Sequence, residues 1–283
     1  MIANRQIGVA FPTGALFGVL IFFAFATVAE SVILFRTDDP TANTTEPTGA
    51  LADSGWQYEG SFGAYLGTAI APHFFITAKH VGQVSSKFVY HGANYTIIQG
   101  FPDPRSDLQL YKVEETLPSY APLYEKSDEV GQHLVVIGRG GRRGPERIIN
   151  GQLRGWNYGA SDSVQRWGEN QVASIVRNRL YVLFEKAALP NEAHLSSGDS
   201  GGAIFLNDAG TWKLAGINFD VDHFASGPDG GGRYDAAMFD ERGSYRANGQ
   251  LVSGEVPVPS GFYAARVSSR LEWIKSIING ASD

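Results

Sequence analysis

The sequence contains no cysteine. Disulfide staples, thiolate catalysis and cysteine-ligated zinc are therefore excluded, and the core must hold without covalent links. Net charge is also scarce. The 23 basic and 29 acidic residues are interspersed and leave −6, so no overall positive field recommends nucleic acid as a partner. Helical periodicity is nearly missing, and no internal repeat points to a solenoid or propeller. Finally, charge is absent from one long stretch: none occurs between Arg5 and Glu30.

That uncharged stretch contains ALFGVLIFFAFATVA at 15–29 and reads as a membrane-targeting segment. The basic start and the small-residue patterns Ala24-Phe25-Ala26 and Thr27-Val28-Ala29 fit a cleavable signal over 1–30. Residues 7–29 are also long enough for an uncleaved anchor. Either reading exports the rest of the chain to a periplasmic or extracellular space, leaving Arg5 inside. The membrane is then a partner only through this segment.

The whole chain is 43% hydrophobic, and its 34 glycines and 13 prolines are scattered. This suits many short strands joined by turns, with room for one large domain or two modest ones. Residues 31–59 are rich in Thr, Asp, Pro and Gly and read as a linker or surface-laid arm. Beyond them, runs such as HFFITA, LQLYKV, HLVVIG and WKLAGINF recur between turn residues, predicting an all-β sandwich or barrel pair. A polar, proline-containing crossing at about 115–132 divides a first unit (about 60–118) from a second (about 130–265). Only the end looks helical: over 268–279, Leu271, Ile274 and Ile278 share a face, Ser268 or Ser269 can cap, and Asn279-Gly280 supplies a stop.

The chemistry-bearing stretch is SSGDSGGAIF at 196–205. A serine hydroxyl attacks well only when a base removes its proton and fixed donors await the oxyanion. Gly198 permits a turn that aims its own N–H and that of Ser200 to one side, while Gly201 and Gly202 allow close approach. Gly-x-Ser-x-Gly alone also fits an α/β-hydrolase elbow, but that fold needs serine, then acid, then histidine. Here His80 follows the strand-like FFITAK, Asp107 opens SDLQLYKV, and Ser200 comes last. The order is histidine, aspartate, serine. Asp103, the rival acid, sits between prolines with no strand directly behind it.

These three segments together resemble the trypsin/chymotrypsin-like serine peptidases, with TAKH, SDLQLYKV and GDSGG as the matching motifs over about residues 60–280. The resemblance implies two six-stranded antiparallel β-barrels, a C-terminal α-helix and a cleft where His80 and Asp107 meet Ser200. It implies a serine endopeptidase that needs no cofactor and no metal and acts on protein or peptide substrates. The oxyanion hole would be the Gly198 and Ser200 N–H groups. Asp199 would support that loop through a cation, for which Arg139 in GRGGRRG is the candidate. His194, six residues before Ser200, falls at the base of the primary pocket, and Phe219-Asp220-Val221 replaces the family's substrate-pairing strand. The aspartates of 220–243 (Asp220, Asp222, Asp229, Asp235) could attract a hard cation, yet EF-hand spacing is absent. The competing class is a catalytically silent homologue that binds peptide in the same cleft.

Overall fold

The computed structural model describes residues 32–280, so the targeting segment at 1–30, including the 7–29 anchor reading, lies outside the described residues. Among the described residues, no helix is long and apolar enough to cross a membrane.

Twelve strands form two closed antiparallel barrels. The first comprises β1 (Glu59–Phe62), β2 (Tyr65–Ala71), β3 (Phe74–Ala78), β4 (Lys87–Tyr90), β5 (Ala93–Pro102) and β6 (Leu108–Val113). The second comprises β7 (His133–Gly138), β8 (Arg166–Val176), β9 (Arg179–Leu183), β10 (Ala203–Asp208), β11 (Thr211–Val221) and β12 (Gly261–Arg266). Neighbouring strands run β1-β2-β3-β6-β5-β4 in the first and β7-β8-β9-β12-β11-β10 in the second. Each barrel thus repeats one order: first, second, third, sixth, fifth, fourth.

Alternation along the strands explains why the barrels stack. In β7, Leu134 and Val136 point into the second barrel, while Val135 and Ile137 face the first. β10 does the same, with Ile204 and Leu206 inward and Ala203 and Phe205 outward. The outward set meets Leu66, Ile76, Leu108 and Leu110 of the first barrel in one shared core. A strand buried on both faces is nearly all apolar: in β3, FFITA, every residue is buried, and the one polar side chain, Thr77, donates to the Leu66 carbonyl at 2.8 Å. Inside the first barrel, aromatic rings fill the space, with Phe75 stacked on Phe88 at 4.2 Å. Burying one such ring contributes about 2–3 kcal/mol.

The C-terminal helix α1 (Leu271–Gly280) follows a 3-10 turn at Ser268–Arg270 and docks Ile274, Leu271 and Ile278 on the shared core. The two serines do not cap it. Ser268 Oγ donates to the buried Glu129 carboxylate at 2.6 Å, and Ser269 Oγ donates to the Arg266 carbonyl.

Two features correct the sequence reading. The start of the 31–59 arm is no free linker: Ile33–Leu34 forms a strand paired with Ala193–His194, and Val32, Ile33 and Leu34 are all buried. Four consecutive apolar residues after Ser31 were enough to insert it beside the second barrel. In addition, five strands form a separate sheet outside both barrels: Gly141–Ile149, Gln152–Ser161, Tyr234–Met238, His223–Ala225 and Tyr245–Arg246. Arg142 and Arg143 of GRGGRRG therefore lie in a strand, while Arg139 stays in the link before it. This sheet stands beside the cleft between the barrels and brings His223 and Asp235 to its wall.

Candidate active site

His80 lies in a one-turn 3-10 helix (Lys79–Val81) that ends β3, and Asp107 directly precedes β6. Because β3 and β6 are paired, with Ala78 opposite Leu108, the two loops leave the sheet together. The Lys79 N–H donates to the Asp107 carbonyl at 2.7 Å, and the Lys79 ammonium donates to the carbonyls of Asp103 and Ser106, both at 2.6 Å. Backbone pairing and the Lys79 ammonium together thereby set the loops that carry His80 and Asp107.

Ser200 comes from the turn ahead of β10 in the second barrel. Gly201 has φ +83° and sits where a Cβ would come within 2.3 Å of Thr77 Oγ1 and 2.5 Å of the Leu66 carbonyl. Only glycine lets this turn touch the first barrel so closely. Asn218 fixes it from behind, donating to the carbonyls of Ile137 and Asp199.

The structure brings His80, Asp107 and Ser200 into one hydrogen-bonded line. His80 Nδ1 is 2.6 Å from Asp107 Oδ2, the His80 N–H donates to Asp107 Oδ1 at 3.0 Å, and His80 Nε2 is 2.9 Å from Ser200 Oγ. The hydrogen bond to Asp107 raises the His80 pKa above its ordinary 6.5, against the opposing pull of burial. Phe219 braces the ring edge-on at 5.8 Å. Asp103 has a different task. It is buried and grips the Arg270 guanidinium through two 2.6 Å contacts, joining the His80 side of the first barrel to the turn before α1.

Gly198 has φ +98°, a conformation that favours glycine. Among the described residues, neither its N–H nor that of Ser200 donates to a backbone carbonyl. Both residues line an open cleft of about 440 Å³ together with His80, Tyr65 and 195–197.

Asp199 does not meet Arg139, contrary to the sequence expectation. The Arg139 guanidinium turns to the carbonyls of Ser163 and Gly63 instead. Asp199 accepts hydrogen bonds from the N–H groups of Gly140 and Ser196, both at 2.7 Å, and from that of Val32 in the arm. Gly138 and Gly140 make this possible, since a Cβ at Gly138 would stand 2.1 Å from the carboxylate. Burial pushes the Asp199 pKa up to about 6 against the amide hydrogen bonds that lower it, and among the described residues no cation pairs with it. The run VILF at 32–35 was the available signal for this contact, and it reads as the tail of the apolar N-terminus.

His194 also departs from expectation, for it does not line the cleft. Pairing with Ile33 turns it into a fully buried site among Phe184, Phe262 and Tyr158, with Nδ1 2.6 Å from the Leu195 carbonyl. Burial lowers its pKa. Phe219, Asp220 and Val221 do line the cleft. They form the end of β11 past its pairing with β10, which stops at Ile217, so among the described residues their edge on that side is unpaired.

Sequence reasoning missed His223. Its Nδ1 is 2.6 Å from Asp235 and its Nε2 3.0 Å from Asp220. Partial burial lowers its pKa, but the bonds to the two carboxylates outweigh this and leave it raised. Asp222 is occupied by the Tyr181 and Tyr263 hydroxyls. Among the described residues, no group of three or more His, Cys, Asp or Glu is placed to hold a metal ion.

In comparisons with known proteins, no family model matches this sequence and no curated protein matches it.

Proposed function

We propose that the protein is an exported serine endopeptidase of the chymotrypsin-like, two-barrel type, cutting peptide bonds with His80, Asp107 and Ser200. The observation that carries this reading is the unbroken line from Asp107 through His80 to Ser200 Oγ, with contacts of 2.6 and 2.9 Å. In that geometry Nε2 takes the hydroxyl proton as Oγ attacks the carbonyl, then returns it to the leaving amine. Asp107 holds the proton on Nδ1 and stabilises the imidazolium. The Gly198 and Ser200 N–H groups receive the oxyanion.

A peptide rather than a small ester is favoured by the free edge at 219–221, which offers backbone groups to an extended chain lying beside it. The apolar segment at 7–29 would deliver the enzyme to the membrane for export. Digestion of an unstructured protein such as casein tests the reading: the wild type should cut it, and Ser200→Ala should lose about 10⁶-fold in turnover while folding normally. Equal digestion by both would sink the assignment. A second reading, a silent homologue, is favoured by the buried Asp199, which among the described residues meets no cation, because an uncompensated charge weakens the loop that must hold the oxyanion. It predicts peptide binding without cleavage.

A further inference from the structure

Across Phe219 from the Ser200 cleft lies a second cavity, of about 350 Å³, lined by Lys79, Arg105, Asp107, Arg177, Arg179 and Phe219 among others. Four cations thus surround one hollow in a chain whose net charge is −6. Among the described residues, none of the four makes an ion pair with a carboxylate. Lys79 is held only by backbone carbonyls, and the Arg179 guanidinium lies over the Phe219 ring at 4.0 Å. The one carboxylate that lines this hollow, Asp107, is engaged by His80. Four cations facing one hollow that only the Asp107 carboxylate shares repel one another, a cost that an anion bound there would relieve.

Backbone conformation points the same way. Arg177 and Asn178 form the two-residue link between β8 and β9, both with positive φ (48° and 65°). Such hairpin links favour Asn-Gly, and an arginine in the first place is strained. An exposed arginine is held there although a better turn residue would stabilise the hairpin.

We propose that this basic shelf is a subsite for an acidic side chain placed two to four residues before the bond that is cut. The inference rests on the peptidase reading. The residue just before the bond would enter the Ser200 cleft, and a chain running along the free edge at 219–221 advances about 3.3 Å per residue. Its preceding side chains would then pass Phe219 and reach the guanidinium groups, which suit carboxylates.

The test uses matched fluorogenic peptides carrying Glu, Gln or Lys at those positions. The wild type should favour Glu over Gln in kcat/KM by about five- to tenfold at low salt, with Lys worst, and the preference should shrink as salt screens it. The double variant Arg105→Gln/Arg177→Asn, both exposed positions, should bring the Glu/Gln ratio to within about twofold. Binding of the labelled Glu peptide to Ser200→Ala, read by fluorescence anisotropy, separates the two ideas. Cleavage without Glu/Gln discrimination overturns the shelf and spares the peptidase reading. Arginine-dependent binding without any wild-type cleavage overturns the peptidase reading and supports the shelf. Equal displacement of the peptide by a DNA oligonucleotide of the same charge overturns the assignment to an acidic peptide.

Discussion

Replacing Asp107 by asparagine changes one atom and should disable the base. Asp107 Oδ1 accepts from the His80 backbone N–H at 3.0 Å, and Oδ2 faces Nδ1 at 2.6 Å. A backbone N–H can only donate, so it claims the amide oxygen of the asparagine. The NH₂ group is left facing Nδ1, which must then accept. The ring proton moves to Nε2, the atom 2.9 Å from Ser200 Oγ, and an Nε2 that carries a proton cannot take another. The imidazolium also loses a carboxylate partner worth about 6 kcal/mol at this separation and an effective dielectric of about 20. Either route gives a loss of about 10⁴-fold in kcat. The assay is steady-state hydrolysis of a fluorogenic peptide, with urea denaturation confirming that the variant is folded. Activity within tenfold of the wild type would refute the orientation argument.

Other outcomes follow from the same contacts. Because His80 must start neutral and its pKa is raised by Asp107, the acid limb of the kcat/KM profile should have its midpoint above the ordinary 6.5. The same shift favours the folded state below pH 6.5, and that gain fades as pH rises through the raised value, so urea midpoints should carry a term opposite in sign to activity. Arg270→Ala strands the buried Asp103 carboxylate, and should cost about 3–5 kcal/mol in urea unfolding. Gly201→Ala drives a Cβ into Thr77 and the Leu66 carbonyl at positive φ; a destabilisation of about 2–5 kcal/mol with loss of activity is expected. Retained stability in that variant would show that the barrels are not in contact there.

The three segments bearing His80, Asp107 and Ser200 are legible because each couples a strand pattern to one polar residue, and their order excludes the alternative fold. The two barrels are legible as short apolar runs between turns. Their shared strand order is not, since it is kept by alternation of side chains rather than by repeated letters: β1 is EGSF and β7 is HLVVIG. The extra sheet escapes for a similar reason, as GRRGPERII and YDAAM carry glycine, proline and charge and become strands only through their partners. The arm fails through context, because VILF after a long apolar segment looks like its continuation. The partner of Asp199 escapes because an amide donor leaves no mark in the sequence, whereas an arginine does. His194 misleads by position alone: the count from Ser200 is right, but strand pairing turns the ring away from the cleft.

The central claim is that His80 activates Ser200 for attack. Treatment with a serine-directed organophosphonate, followed by peptide mass spectrometry, measures this directly. A single adduct on Ser200, formed rapidly in the wild type and at least about a thousandfold more slowly in His80→Ala, is predicted. Adducts spread equally over Ser196, Ser197 and Ser200, or labelling of Ser200 at the same rate without His80, would contradict it.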